Sequence, residues 1–260
     1  LLSLLLPLTL VAGCGGKDVP PGADPAQVDS TQVPQVGACR NLRRAEIPAA
    51  TNAGKLVSCT EPHNSETFAA GELPTRFKDA GYHDASLDEW AYQTCGSALT
   101  AHLGATDSVV MRAILSWVWF RPSEKAWGKG ARWYRCDVIG GGSGSRRHLD
   151  LPTTTRGLMA KRPDDHWMAC ARGTDPDHGA KLPCSKQHSW RAVTVIKVGE
   201  PGDTYPGDAA VAKKSKDFCA SSVAAWLGYP TDYDYAYTWF HEAEWKAGNR
   251  KSVCWAKTAE

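Results

Sequence analysis

The distribution of cysteines constrains this chain more than any other feature. Apart from Cys14, eight cysteines stand at positions 39, 59, 95, 136, 170, 184, 219 and 254, and they fall into two fours with recurring neighbours. The second cysteine of each four opens Cys-x-x-x-His, Cys59 to His63 in one half and Cys184 to His188 in the other. The third lies in a run where apolar residues recur three and four apart, around Leu87, Trp90, Ala91, Cys95 and Leu99, and again around Ala212, Phe218, Cys219, Val223 and Trp226. That spacing predicts a helix in each half. Both runs stop at Leu-Gly, Leu103-Gly104 and Leu227-Gly228, where glycine takes a left-handed C-terminal position at little cost. Beyond the helix, Trp119-Phe120, Trp127 and Arg132 lead to Cys136, as Trp239-Phe240, Trp245 and Arg250 lead to Cys254. Such self-similarity indicates an internal duplication.

Each half reads as two strands, a helix and two further strands, in the first half over about 36–42, 55–73, 86–103, 109–121 and 131–139. The expected fold is α+β: two tandem repeats of a small disulfide-bonded module, each a mainly antiparallel sheet with one packed helix. Module 1 is expected over 36–155 and module 2 over 156–260, with Gly140 to Ser145 readable either as a linker or as a hairpin tip.

Upstream of the repeats, residues 1–13 are apolar and uncharged, too short to span a bilayer, and read as the hydrophobic part of a signal peptide. With no basic segment or Met ahead of it, the sequence is expected to begin part-way through a precursor. Leu10-Val11-Ala12-Gly13-Cys14 resembles the bacterial lipobox, which makes Cys14 the expected lipidation site. Two or three acyl chains on one residue suffice to hold a protein at a membrane. The expected place is the outer face of the cytoplasmic membrane. Residues 14–35, rich in Gly and Pro, read as a disordered tether.

Outside the membrane, paired cysteines persist as disulfides, and duplication favours bridges within each half, leaving three pairings per module. The Thr174-Asp-Pro-Asp-His-Gly179 turn between Cys170 and Cys184 favours first with second and third with fourth, and the other pairings stay open. Zinc held by Cys59 with His63 and Cys184 with His188 is the rival. An oxidising setting argues against it, and the two histidines are expected to fix the start of a strand. No metal or cofactor is expected.

The net charge of +2 excludes a nucleic-acid footprint. Fragments of catalytic motifs do not complete themselves. His241-Glu-Ala-Glu-Trp245 has Trp where a zincin needs its second histidine, and Gly140-Gly-Gly-Ser-Gly-Ser145 lacks the Lys of a phosphate loop. The chain is therefore read as non-enzymatic. Among its eleven tryptophans, Trp119, Trp127, Trp239 and Trp245 are expected to fill the two cores. Tyr229, Tyr233, Tyr235 and Tyr237 form the candidate ligand surface, since aromatic faces stack on sugars and cations.

Gly37-Ala-Cys39, Cys59 to His63, Cys95, and Trp127-Gly-Lys-Gly-Ala-Arg132 before Cys136 resemble the modules of the actinobacterial septum formation domain family. The second copy opens with Met168-Ala169-Cys170 and lacks the glycine. The resemblance implies an exported or membrane-attached protein with a role in division septa and carries no catalytic residues. The function expected is an extracytoplasmic lipoprotein that binds a protein or peptidoglycan partner. Two alternatives are a cell-wall hydrolase or transferase with an unrecognised acid/base site, and a small-ligand sensor.

Overall fold

A computed structural model describes residues 23–141, 145 and 148–258. Cys14, the lipobox and the first part of the tether lie outside the described residues. Among the described residues no helix is long and apolar enough to cross a membrane.

The first module contains β1 (Cys39–Arg40), β2 (Leu56–Val57), β3 (Ser65–Glu72), β4 (Ser116–Phe120) and β5 (Trp133–Ile139) in the order β2-β1-β3-β5-β4, all antiparallel. The second contains β6 (Ala169–Arg172), β7 (Ala180–Pro183), β8 (Trp190–Lys197), β9 (Tyr235–Thr238) and β10 (Lys251–Lys257) in the order β7-β6-β8-β10-β9. The two orders are the same topology repeated, so the α+β duplication holds. Even the irregularity recurs. Phe68 is skipped between the pairs Thr67↔Asp137 and Ala69↔Cys136, and Val193 between Ala192↔Trp255 and Thr194↔Cys254. A β-bulge at the same place in both sheets re-aims one side chain and marks common descent of the frame.

One long helix lies on each sheet, α2 (Ser86–Leu103) and α5 (Asp208–Leu227). Leu87, Ala91, Cys95 and Leu99 of α2 face the sheet, and Val211, Ser215, Cys219 and Val223 of α5 do the same. Both helices end on a left-handed glycine, Gly104 at φ 68° and Gly228 at φ 82°. Phe218 and Trp226, read from spacing as part of the inward stripe, stand on the outer flank of α5, 38% and 48% exposed. The residues that α5 buries are Val211, Ser215, Cys219 and Val223.

The remaining helices are short: α1 (Ala26–Asp29), α3 (Asp107–Met111), α4 (Glu124–Gly128) and α6 (Glu242–Lys246). α3 occupies the first part of the segment expected as a strand over 109–121. α1 corrects the tether reading for residues 23–35: Val28 is buried, its carbonyl accepts the Ser123 N–H at 2.9 Å, and Asp29 binds Ser123 and Lys125. The stretch 148–160, divided between the modules in the sequence reading, lies on module 1, with Leu151 and Met159 buried in its core.

The Trp-Phe correspondence also needs correction. Strand pairing sets Trp119 opposite Cys136 and Tyr237 opposite Cys254. From there the copies run in step, Ser123 with His241 at the helix start and Trp127 with Trp245 within the helix. Trp239-Phe240 therefore matches Arg121-Pro122, and its likeness to Trp119-Phe120 comes from composition.

Candidate functional site

The cysteines form Cys39–Cys59, Cys95–Cys136, Cys170–Cys184 and Cys219–Cys254, with Cα separations of 5.3, 5.7, 4.9 and 5.1 Å. Within each module one bridge ties the chain around the first two strands and the other bolts the helix to the last long strand, β5 or β10. His188 lies beside the Cys170 and Cys184 sulfurs, but these are bonded to each other and offer no thiolate to a zinc ion. The histidines do the same local task. His63 Nδ1 donates to the Glu61 carbonyl at 2.8 Å, and His188 Nδ1 to that of Lys186 at 2.6 Å. Each ring thereby closes the turn that delivers the chain into its long strand.

The tryptophan and arginine of each copy are one structural unit. The Arg132 guanidinium lies 4.0 Å over the Trp127 ring and donates to the Trp127 carbonyl, while Arg250 lies 3.7 Å over Trp245 and donates to the Trp245 carbonyl. The arginine satisfies the carbonyl end of the short helix and covers the indole face together.

The tyrosine segment is mostly turned inward. Tyr235 and Tyr237 pair with Ala256 and Cys254 on the helix-facing side of the sheet, and the Tyr233 hydroxyl donates to the Ala220 carbonyl of α5 at 2.9 Å. Tyr229 alone stands out, at 76% exposure. Tyr233, Tyr235 and Tyr237, expected as a ligand surface, are partly buried and pack against the cluster of Val193, Cys219, Val223 and Cys254.

Two titratable clusters escaped the sequence reading, and both are sealed. On the sheet face of module 1 away from α2, Arg135 pairs with Asp137 at 3.1 Å, Thr67 donates to Asp137 at 2.7 Å, and Arg40 donates to Thr67 at 2.9 Å. Burial and the neighbouring Arg135 push Arg40 down to about 10. The second cluster joins Glu66, Thr155 and His102. Thr155 donates its N–H and its hydroxyl to Glu66, both at 2.6 Å, and that hydroxyl lies 2.9 Å from His102 Nε2. Burial lowers the His102 pKa, against the pull of the neighbouring Glu66, and so favours the neutral ring. Both clusters are fully buried, so they fix structure and meet no substrate.

A different, open place is built by both modules. A groove of about 530 Å³ runs between α2, α3 and β4 of module 1 and the β8 and β10 ends of module 2. Its aromatic wall is Tyr92 against Trp117, with ring centroids 5.7 Å apart. Gln93, Ser97 and Thr100 line it with neutral polar groups, and Lys197, Arg250 and Lys251 lie along the module 2 side. Lys251 pairs with Asp107 across the junction, and the Tyr92 hydroxyl donates to Asn249 at 3.1 Å. Gly248, at φ 108°, lets the chain pass the Tyr92 ring, where a Cβ would sit 2.9 Å from it. Burial first, then Asp107, pushes the Tyr92 phenol up to about 12, so it stays a hydroxyl.

Next to this groove a shallow depression holds Asp79, Asp84 and Glu89 around Phe77 and Trp90. The Ser86 hydroxyl and amide hold the Asp84 carboxyl below its ordinary range. A general acid needs the opposite shift.

No curated protein and no solved structure matches the chain. The model of the family described as septum formation matches residues 9–120 and again residues 111–254. These two matches span the duplicated modules and nearly the whole described chain, and the protein belongs to the septum formation family.

Proposed function

We propose that this protein is a non-enzymatic envelope lipoprotein, anchored through Cys14, that holds a cell-wall partner between its two modules during septum formation. Family membership points toward cell division, and the groove between the modules carries the rest of the reading. Binding sites favour the junction of two domains, with apolar walls and a few directed polar groups. Here the Tyr92 and Trp117 rings supply a stacking wall, and Gln93, Ser97 and Thr100 supply the hydrogen-bonding groups that sugars need. Lys197 and Lys251 at the rim suit the carboxylates of a peptide-bearing glycan.

The test is titration of the full chain with soluble peptidoglycan fragments. Saturable binding that drops about tenfold in Trp117→Ala, as loss of a stacking aromatic does, is the expected result. Fragments that bind equally well to the variant, or are cleaved, overturn the reading. Metabolic labelling with a palmitate analogue, lost in Cys14→Ala, tests the anchor.

A further inference from the structure

The duplication allows each surface of one module to be compared with its counterpart in the other, and one pair differs sharply. In module 1 the C-terminal end of α2 is covered by residues 148–160. The Gly157 N–H donates to the His102 carbonyl at 2.7 Å and the Met159 N–H to that of Leu103 at 3.0 Å. Leu151 and Met159 anchor this strap in the core, and Thr154 and Thr155 bind Glu66 between them.

Aligning Cys95 with Cys219 and His63 with His188 places Trp226 where His102 stands, Leu227 at Leu103, Phe218 at Thr94, Tyr229 at Ala105 and Arg191 at Glu66. Among the described residues no strap lies there. Among the described residues nothing donates to the Trp226 or Leu227 carbonyl, and Phe218, Trp226 and Tyr229 are 38%, 48% and 76% exposed. Tyr229 is held at φ 59°, the one described non-glycine residue in the left-handed region, a conformation that costs energy and keeps the ring outside. Large exposed apolar side chains mark an interaction surface where they adjoin, as Trp226 and Tyr229 do at the end of this helix.

We infer that this flank of α5 is the docking site for an extended, acidic polypeptide segment, laid across the helix end as residues 148–160 lie on α2. The internal copy supplies the geometry: two main-chain N–H groups for the last helix carbonyls, and an apolar side chain to either side. The charge follows from the exchange of Glu66 for Arg191. Where Thr155 gives Glu66 a hydroxyl, the occupant of module 2 meets a guanidinium that is 25% exposed and engages Asp165 through Nη2 alone. This inference does not depend on what the groove between the modules holds.

The test uses two synthetic probes, the peptide of residues 148–161 of this chain and the same peptide carrying Thr155→Asp, titrated by fluorescence anisotropy onto the full chain. Saturable binding of both is expected, the probe with Asp in place of Thr155 tighter by about fivefold, as a partly exposed ion pair provides. Trp226→Glu should weaken both by about tenfold or more with an unchanged melting temperature, since that side chain is exposed. Arg191→Gln should erase only the preference for the acidic probe. Binding that ignores Trp226→Glu, no binding at about millimolar probe, or a dimer of this chain that Trp226→Glu dissociates would each overturn the inference.

Discussion

The two modules share one frame of strands, bulge, helix and disulfides, yet they protect that frame in opposite ways. In module 1 the sheet face away from the helix carries Arg40, Arg135 and Asp137, all at most 1% exposed. Buried charges must be paired and shielded from competing arrangements. The segment 23–54 does this: Gln27 and Asn52 reach Arg40 and Arg135, and the Trp133 indole donates to the Ser30 carbonyl. In module 2 the corresponding positions are Ala171, Val253 and Trp255, which join Trp190 and Ala192 in a small apolar cluster. Lys181, 4.6 Å over the Trp255 ring, is its cover. An apolar face closes on itself, whereas a charged one requires a lid. The helix flank repeats the contrast, strapped in module 1 and open in module 2.

The contrast breaks or holds first at Asp137 and Trp255, which occupy the same place in the two sheets. Asp137→Asn should cost about 3–5 kcal/mol, because it strands two buried guanidinium groups without changing shape. Trp255→Phe, a milder loss in an apolar cluster, should cost about 1 kcal/mol. Urea unfolding of both variants gives the two numbers, and equal losses would show that the faces are energetically alike.

The shared frame is tested next. Replacing Cys95 and Cys136 by Ala, or Cys219 and Cys254 by Ala, should each remove about 2–4 kcal/mol, and the two losses should agree because the bridges bolt the same elements. Thermal denaturation of the two double variants compares them directly.

A smaller effect belongs to the strap. Thr155→Val leaves the buried Glu66 and His102 short of a partner and should cost about 1–3 kcal/mol. The pH dependence has a definite sign. With the folded pKa of His102 below its ordinary 6.5, the neutral ring favours folding at higher pH, and that contribution is lost as pH falls below 6.5 through the folded value. His102→Asn should flatten the melting-temperature profile over that range. No such flattening is expected in Trp226→Asn, because module 2 has Trp in place of the histidine.

Smallest of all, Arg132→Lys and Arg250→Lys should each cost about 0.5–1 kcal/mol, because lysine keeps the charge but loses the planar stacking. Chemical denaturation checks whether the two copies of this unit behave alike.

Much of this frame was legible because its signals are local or strictly repeated. The cysteines, the Cys-x-x-x-His turns, the helix of module 1 and both left-handed glycines are of this kind. What escaped depends on how separate segments meet. Alternation in Trp133-Tyr-Arg135-Cys-Asp137 shows two strand faces, but nothing in the strand says that residues 23–54 cover the charged one. The tyrosines of β9 alternate equally well for a solvent face and for the helix-facing side they occupy. Trp239-Phe240 misled because a matching dipeptide outweighed the constant distance from Cys254 that strand register preserves. The groove between the modules was not legible at all, since Tyr92, Trp117 and Lys251 meet only through the packing of one copy on the other.

The claim that module 1 is sealed where module 2 is open can be tested by hydroxyl-radical footprinting of the intact full chain, read residue by residue by mass spectrometry. The account predicts rapid modification of Phe218, Trp226 and Tyr229, and strong protection of His102 under the strap, of Leu151 and Met159 where the strap enters the core, and of Trp133 and Trp255 on the two outer sheet faces. Trp226 protected to the same degree as Trp133, or Met159 modified as fast as Trp226, would contradict it.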